Sequence, residues 1–138
     1  MTRETNPRTG STAPRIRTVA LAAVADAVLV LIFVAIGRRS HDEDSALLGF
    51  ATTAWPFLVG AALGWLLARA WRAPLRAVPI ALIIWAAAVV AGMLLRAASS
   101  QGVQLSFVIV TAVVLALFLL GWRAAVALVI RVRGVRAA

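Results

Sequence analysis

The sequence predicts an all-α fold, a four-helix transmembrane bundle with both termini on the cytoplasmic side, and three observations carry the prediction. The 138 residues are 63% apolar and 14% charged, with a mean hydropathy of +0.98, far from the soluble average near half apolar and a quarter charged. Four apolar runs are long enough to cross a hydrocarbon core of roughly 30 Å at about 1.5 Å per helical residue. Arginine is shared unevenly between the ends of those runs.

The runs cover about Thr18 to Ile36, Ala54 to Ala70, Ala77 to Leu95 and Leu105 to Trp122. Lipid offers an unpaired backbone no water, so each run is expected to be a helix. Residues 1–17, rich in Thr, Pro, Gly and Arg, read as a disordered cytoplasmic tail. The first run exceeds the length of a signal-peptide core, contains an acid and ends in Gly37-Arg38-Arg39, so it reads as a retained span. Next, Ser40-His41-Asp42-Glu43 fits the S-x-x-E capping box. It predicts a short interfacial helix whose Leu47, Leu48 and Phe50 turn toward the headgroups.

Pro56 and Pro79 fall in the expected first turns of the second and third spans, where a missing N–H costs nothing. Pro74 sits in the turn that folds these two spans into an antiparallel hairpin. Trp55 and Trp71 stand at opposite ends of the second span, as interfacial anchors should. The four-span domain is thus 18–123, and 124–138 reads as an amphipathic basic tail on the headgroups. Continuing the fourth helix to Ile130 would make it roughly 39 Å long at 1.5 Å per residue, so Trp122 and Arg123 are expected to mark the inner interface.

With the N-terminus inside, eleven arginines are cytoplasmic (Arg3, Arg8, Arg15, Arg17, Arg69, Arg72, Arg76, Arg123, Arg131, Arg133 and Arg136), and only Arg38, Arg39 and Arg96 lie outside. The positive-inside rule then gives one orientation. Because the net charge of +9 gathers at the ends of apolar runs, the expected partner is the bilayer and its anionic phospholipids rather than nucleic acid. All fourteen basic residues are arginine, which with the abundant alanine suggests codon bias from a GC-rich genome.

Asp26 is the most informative residue, an acid near mid-membrane in the first span. It opposes insertion by about 2.5 to 3.5 kcal/mol, and the eleven Val, Leu, Ile and Phe residues of that span each return about 0.3 to 0.6. Such an acid either works inside the bundle, carrying a proton, cation or headgroup contact, or serves as interhelical glue. Trp85 lies at a similar depth in the third span, and its indole N–H is a candidate donor to Asp26 if those helices touch. With no basic side chain expected at that depth, the carboxyl is expected to be largely neutral. Gly60 and Gly64, continued by Ala68, and Ala88 with Gly92 form small-xxx-small faces for close helix packing, or else for a homo-oligomer.

Several chemistries are excluded or disfavoured. There is no cysteine, hence no thiolate nucleophile, disulfide or thiolate metal site. A contiguous Ser40-His41-Asp42 cannot form a nucleophilic triad, and His41 with Asp44 would give a metal only two ligands from one helical face. No phosphate loop, dinucleotide fingerprint or second histidine for haem is present. No cofactor and no enzymatic activity are expected.

Seven stretches carry a family resemblance: Asp26 with Phe33, then GRRSH, TAWPF, Gly64-Trp65, GMLLR, Ser106-Phe107 and GWR from Gly121. From Asp26 to Arg123 the chain resembles the bacterial membrane family catalogued as domain of unknown function 3054. The resemblance implies a four-helix membrane protein and supplies no reaction. It directs attention to Asp26, Arg38, His41, Trp55, Pro56 and Arg96, of which Arg38, His41, Trp55 and Arg96 are expected to line one external vestibule above Asp26.

Two functions follow as expectations. The first is a small carrier or lipid-headgroup-handling protein that uses Asp26 as an exchangeable acid and the outer arginines as anion contacts. The second is a noncatalytic accessory bundle. A carrier needs a polar cavity reaching Asp26, whereas an accessory bundle has that acid sealed by Trp85 and its neighbours.

Overall fold

The computed structural model describes residues 13–38 and 46–136, and every regular element within them is helical. The main helices are α1 (Ala13–Arg38), α2 (Ala46–Leu67), α3 (Leu82–Ala98) and α4 (Leu105–Arg136). The segments Arg15–Arg38, Leu47–Leu67, Ala77–Ala98 and Leu105–Gly134 are each long and apolar enough to cross a membrane. The helices border one another in chain order and α4 closes back on α1, which leaves α1 and α3 on the diagonal. One end of the bundle gathers the start of α1, the α2–α3 connection and the far part of α4, where Thr18, Pro74, Arg76 and Arg131 line a common groove.

Burial follows helical periodicity. On α1 the inward stripe is Ala22, Asp26, Val30, Phe33 and Val34, and on α4 it is Thr111, Leu115, Leu119 and Arg123, four residues apart. Each stripe carries one charged group among its apolar neighbours. The α2–α3 hairpin packs closest, because glycines stand where backbones meet. A Cβ on Gly60 would lie 2.9 Å from the Ala88 Cα, one on Gly64 would lie 2.6 Å from the Ile84 Cα, and one on Gly92 would meet the Phe57 ring at 2.6 Å. The small-residue faces therefore meet within one chain, leaving no room there for a second copy.

The structure corrects three boundaries. The second span begins at Ala46 rather than Ala54, so the expected interfacial helix and the span are one helix and Pro56 lies in its interior. Its buried ring removes the N–H that would reach the Thr52 carbonyl, a loss that tertiary packing in a membrane tolerates. In the same stretch the Thr52 and Thr53 hydroxyls donate to the carbonyls of Leu48 (2.8 Å) and Gly49 (2.9 Å), four residues back. The capping box falls outside the described residues. Trp55, expected at a helix end, sits mid-helix.

At the other end of α2, Arg69 takes a left-handed conformation (φ 47°), and a 3-10 turn, Ala70–Arg72, carries Trp71. The third apolar span starts at Ala77, and within it the regular α-helix starts at Leu82, because Val78 is extended (φ −118°, ψ 130°) before a cis Pro79. A residue preceding proline is disfavoured in the helical region. Finally, α4 continues through Trp122 and Arg123 to Arg136 as one helix, replacing the expected break and separate tail. Its apolar segment of 30 residues would extend roughly 45 Å. Arg123 does not end the span because it faces the bundle interior, where its charge is matched.

Candidate functional site

The match is Asp26. Its position on the inward stripe of α1, one helical repeat from Ala22 and from Val30, turns the carboxyl toward α2 and α4. Arg123, at the end of the α4 stripe, meets it as a bidentate pair: Nη1 donates to Oδ1 at 2.8 Å and Nη2 to Oδ2 at 2.7 Å. The Trp65 indole on α2 donates to Oδ2 at 2.8 Å, and the Trp122 indole on α4 donates to Oδ1 at 2.9 Å. Asp26 is 2% exposed and Arg123 0%.

The guanidinium is satisfied on its other side as well. Arg123 Nε donates to the Pro74 carbonyl at 2.9 Å and Nη1 to the Leu119 carbonyl at 3.1 Å. The Trp122 ring centroid lies 4.5 Å from the guanidinium carbon, a cation–π contact in a desolvated setting. One arginine on α4 thereby ties α1 to the α2–α3 turn. Full hydrogen bonding on both sides is the condition under which a buried ion pair is tolerated.

Each carboxylate oxygen accepts two N–H donors, the arrangement of an acceptor-only carboxylate. The expected neutral, arginine-free Asp26 is therefore corrected to an ion pair. Trp85 is not its partner: across the diagonal from α1, it donates instead to the Ala112 carbonyl of α4 at 2.8 Å. Trp65, Trp122 and Arg123 are the partners that sequence reasoning missed. The available signal was complementary charge, one acid inside the first apolar run and one arginine inside the last.

Replacing Trp65 or Trp122 by Phe removes one donor to a charged acceptor and is expected to cost about 1.5–3 kcal/mol each. Trp85→Phe removes a bond to a neutral carbonyl and should cost about 0.5–1.5 kcal/mol. Thermal unfolding of the three variants in detergent checks the order. Equal losses would assign the stabilisation to ring packing rather than to the indole N–H.

Of the other predicted residues, Arg38 and Arg96 meet at the opposite end. Arg38, in the last turn of α1, and Arg96, in the last turn of α3, line one cavity of about 590 Å³. Arg38 Nη1 donates to the Thr53 hydroxyl at 3.4 Å. Arg96 donates to the Gln101 side-chain oxygen at 2.9 Å and to the Gln101 backbone carbonyl at 3.2 Å. The Arg96 guanidinium carbon stands 4.6 Å from the Phe107 centroid. Phe57 packs edge-on against Phe33 at 5.4 Å beneath. Trp55 is 39% exposed and does not line this cavity among the described residues. His41 lies outside the described residues.

Fold and site together define an all-helical membrane bundle held by a buried Asp–Arg pair. The family model described as "Protein of unknown function (DUF3054)" matches residues 23–126, and the chain belongs to that family. Nothing matches among curated proteins or among solved structures. The stretches that carry the resemblance converge on two places. Asp26, Gly64-Trp65 and Gly121-Trp122-Arg123 meet at the ion pair, while Phe33, Arg38, Arg96 and Phe107 line the cavity at the opposite end, with Phe57 packed against Phe33 and Phe107.

Proposed function

We propose that this chain is a noncatalytic, multi-pass bundle of the bacterial cytoplasmic membrane in which Asp26 fastens helices together rather than carrying a proton or substrate. The supporting observation is the closure of the acid: both oxygens are filled by four donated hydrogen bonds, and pair and donors are packed between helices. A carrier acid must reach solvent and exchange a proton, which here means parting from a bidentate guanidinium and two indoles. The orientation with both termini inside is supported by the arginines that share the α2–α3 end, with exposed Arg15, Arg17, Arg69, Arg72, Arg76, Arg131 and Arg133 suited to anionic lipid phosphates.

The test is chemical. Dicyclohexylcarbodiimide enters membranes and modifies protonated, exchangeable carboxyls, and mass spectrometry locates the adduct. Asp26 of the folded wild type is expected to stay unmodified at neutral pH and to become reactive in Arg123→Gln. Modification of the wild type, rising as pH falls, would replace the fastening with the carrier reading.

A further inference from the structure

The inward stripe of α4 does not stop at the ion pair. Beyond Arg123, the residues Val126, Ala127, Ile130 and Arg131 carry the same helical face onward and form one wall of a groove of about 460 Å³. The other wall is the α2–α3 connection, with Pro74, Leu75 and Arg76, and Thr18 of α1 also lines the space. From Arg123 to Arg131 the α4 wall runs roughly 12 Å at 1.5 Å per residue. Nothing in the fastening of Asp26 requires this groove to exist.

Two observations select its occupant. The α4 wall is apolar and incompletely covered: Val126 and Ala127 are half-buried and Ile130 is 58% exposed, on the side of the helix that continues the inward stripe rather than on the outer circumference of the bundle. The two cations lining the groove, Arg76 and Arg131, are exposed and have no acid to meet, because the single carboxylate among the described residues is Asp26 and Arg123 already holds it. The fitting ligand is therefore apolar at one end and anionic at the other. Basic pockets between helices at the cytoplasmic side of a membrane suit the headgroups of anionic lipids. Residues 1–12 suit the groove less well, since Arg3 and Arg8 outnumber Glu4.

We propose that this groove holds one anionic phospholipid, its phosphate met by Arg76 and Arg131 and part of an acyl chain laid along Val126, Ala127 and Ile130. Arginine suits the phosphate because its planar fork presents parallel N–H donors to tetrahedral oxygens. Pro74 joins the site to the bundle: it lines the groove, and its carbonyl accepts from Arg123 Nε at 2.9 Å. A lipid seated there bridges α4 and the α2–α3 connection at the point where Arg123 already ties them. The site rests on the reading of the exposed arginines as contacts for lipid phosphate, and narrows it from a basic surface to one built position. It does not depend on the role of Asp26.

The experiment uses the full chain purified in a neutral detergent. Phosphatidylglycerol is titrated, native mass spectrometry counts the molecules bound, and thermal unfolding is followed in parallel. Phosphatidylcholine, which has the same chains and no net charge, is the comparison lipid. The expected result is one phosphatidylglycerol bound saturably with a rise in Tm, and phosphatidylcholine bound about tenfold more weakly or less. Arg76→Gln and Arg131→Gln should each weaken phosphatidylglycerol by about tenfold or more. Ala127→Trp, which keeps both arginines but fills the apolar wall, should abolish the single bound lipid, and supplies the answer if an arginine variant does not fold. Arg69→Gln/Arg72→Gln removes two equally exposed cations near the same connection that do not line the groove, and should change nothing.

The proposal is overturned if phosphatidylcholine binds as well as phosphatidylglycerol, or if binding survives in Arg76→Gln, Arg131→Gln and Ala127→Trp. It is also overturned if phosphatidylglycerol binds only to Glu4→Gln, since the chain's own tail would then be the occupant. Loss in Arg69→Gln/Arg72→Gln equal to that in the groove variants would sink the groove and leave the basic surface as a diffuse lipid contact. Wild type that binds no phosphatidylglycerol would sink both. Carbodiimide reactivity of Asp26 is a separate readout, so the fastening reading stands or falls without reference to the lipid.

Discussion

Arg123→Gln is expected to lose most of the folded protein, and Asp26→Asn to do the same, whereas Asp26→Asn/Arg123→Gln should recover part of it. Each single change leaves one charge buried and unpaired, a situation that costs about 3–5 kcal/mol. Against a total stability of about 5–15 kcal/mol, that removes a large share of the margin. Arg123 adds to this through the Pro74 carbonyl, which loses its donor and with it the tie between α4 and the α2–α3 turn. The double variant holds no charge. An Asn at 26 still offers an oxygen to one of the two indoles, so its deficit should be smaller than that of either single variant.

The measurement is thermal unfolding in detergent, together with the monodisperse fraction after solubilisation. The ranking wild type, double variant, then single variants is diagnostic of a coupled pair. Additive losses, with the double variant worst, would mean that Asp26 and Arg123 act independently and that the ion pair does not hold the bundle.

The second large effect is expected at Gly64. A side chain there begins 2.6 Å from the Ile84 Cα and 3.1 Å from the Ala87 Cβ. The first neighbour is backbone, which cannot rotate away, so Gly64→Leu must part α2 from α3 along their closest line of approach. Overpacking of this kind costs about 1–3 kcal/mol, and rigid backbone on the far side sets the expectation at the upper end of that range. Gly121 is the internal control, since a Cβ there meets nothing within 4 Å. Gly121→Ala should be neutral or stabilise α4 by up to about 1 kcal/mol, the helix-propensity difference. Similar losses at both positions would show that glycine is needed for something other than close approach.

The number of spans and the hairpin were legible because hydropathy and proline placement are local properties of the chain. Asp26 was legible as well, since an acid in a long apolar run stands out against any reading of the bilayer. Its partners were not. Depth along a span, counted from the ends, matched Asp26 with Trp85 and placed Trp122 and Arg123 at an interface. That count treats an arginine as the end of a span. Within the bundle, a guanidinium whose donors go to a carboxylate and to carbonyls no longer requires water, so the helix runs on.

Azimuth was the missing variable. These helices are apolar nearly all the way round, so composition does not say which face turns inward or which helices are neighbours. Contact between α1 and α4, and the diagonal separation of α1 from α3, decide that Asp26 meets Arg123 and that Trp85 turns to Ala112. The same packing sets Arg38 and Arg96 on one cavity, from positions far apart in the chain.

By itself, then, the sequence determined a helical membrane protein of four spans and marked one acid as costly, because transfer of each residue into hydrocarbon depends on that residue and its near neighbours. Only the tertiary structure decided that the acid is matched by an arginine and closed from solvent. Pairing energy depends on which helix faces come together, and that is fixed by packing between segments distant in sequence.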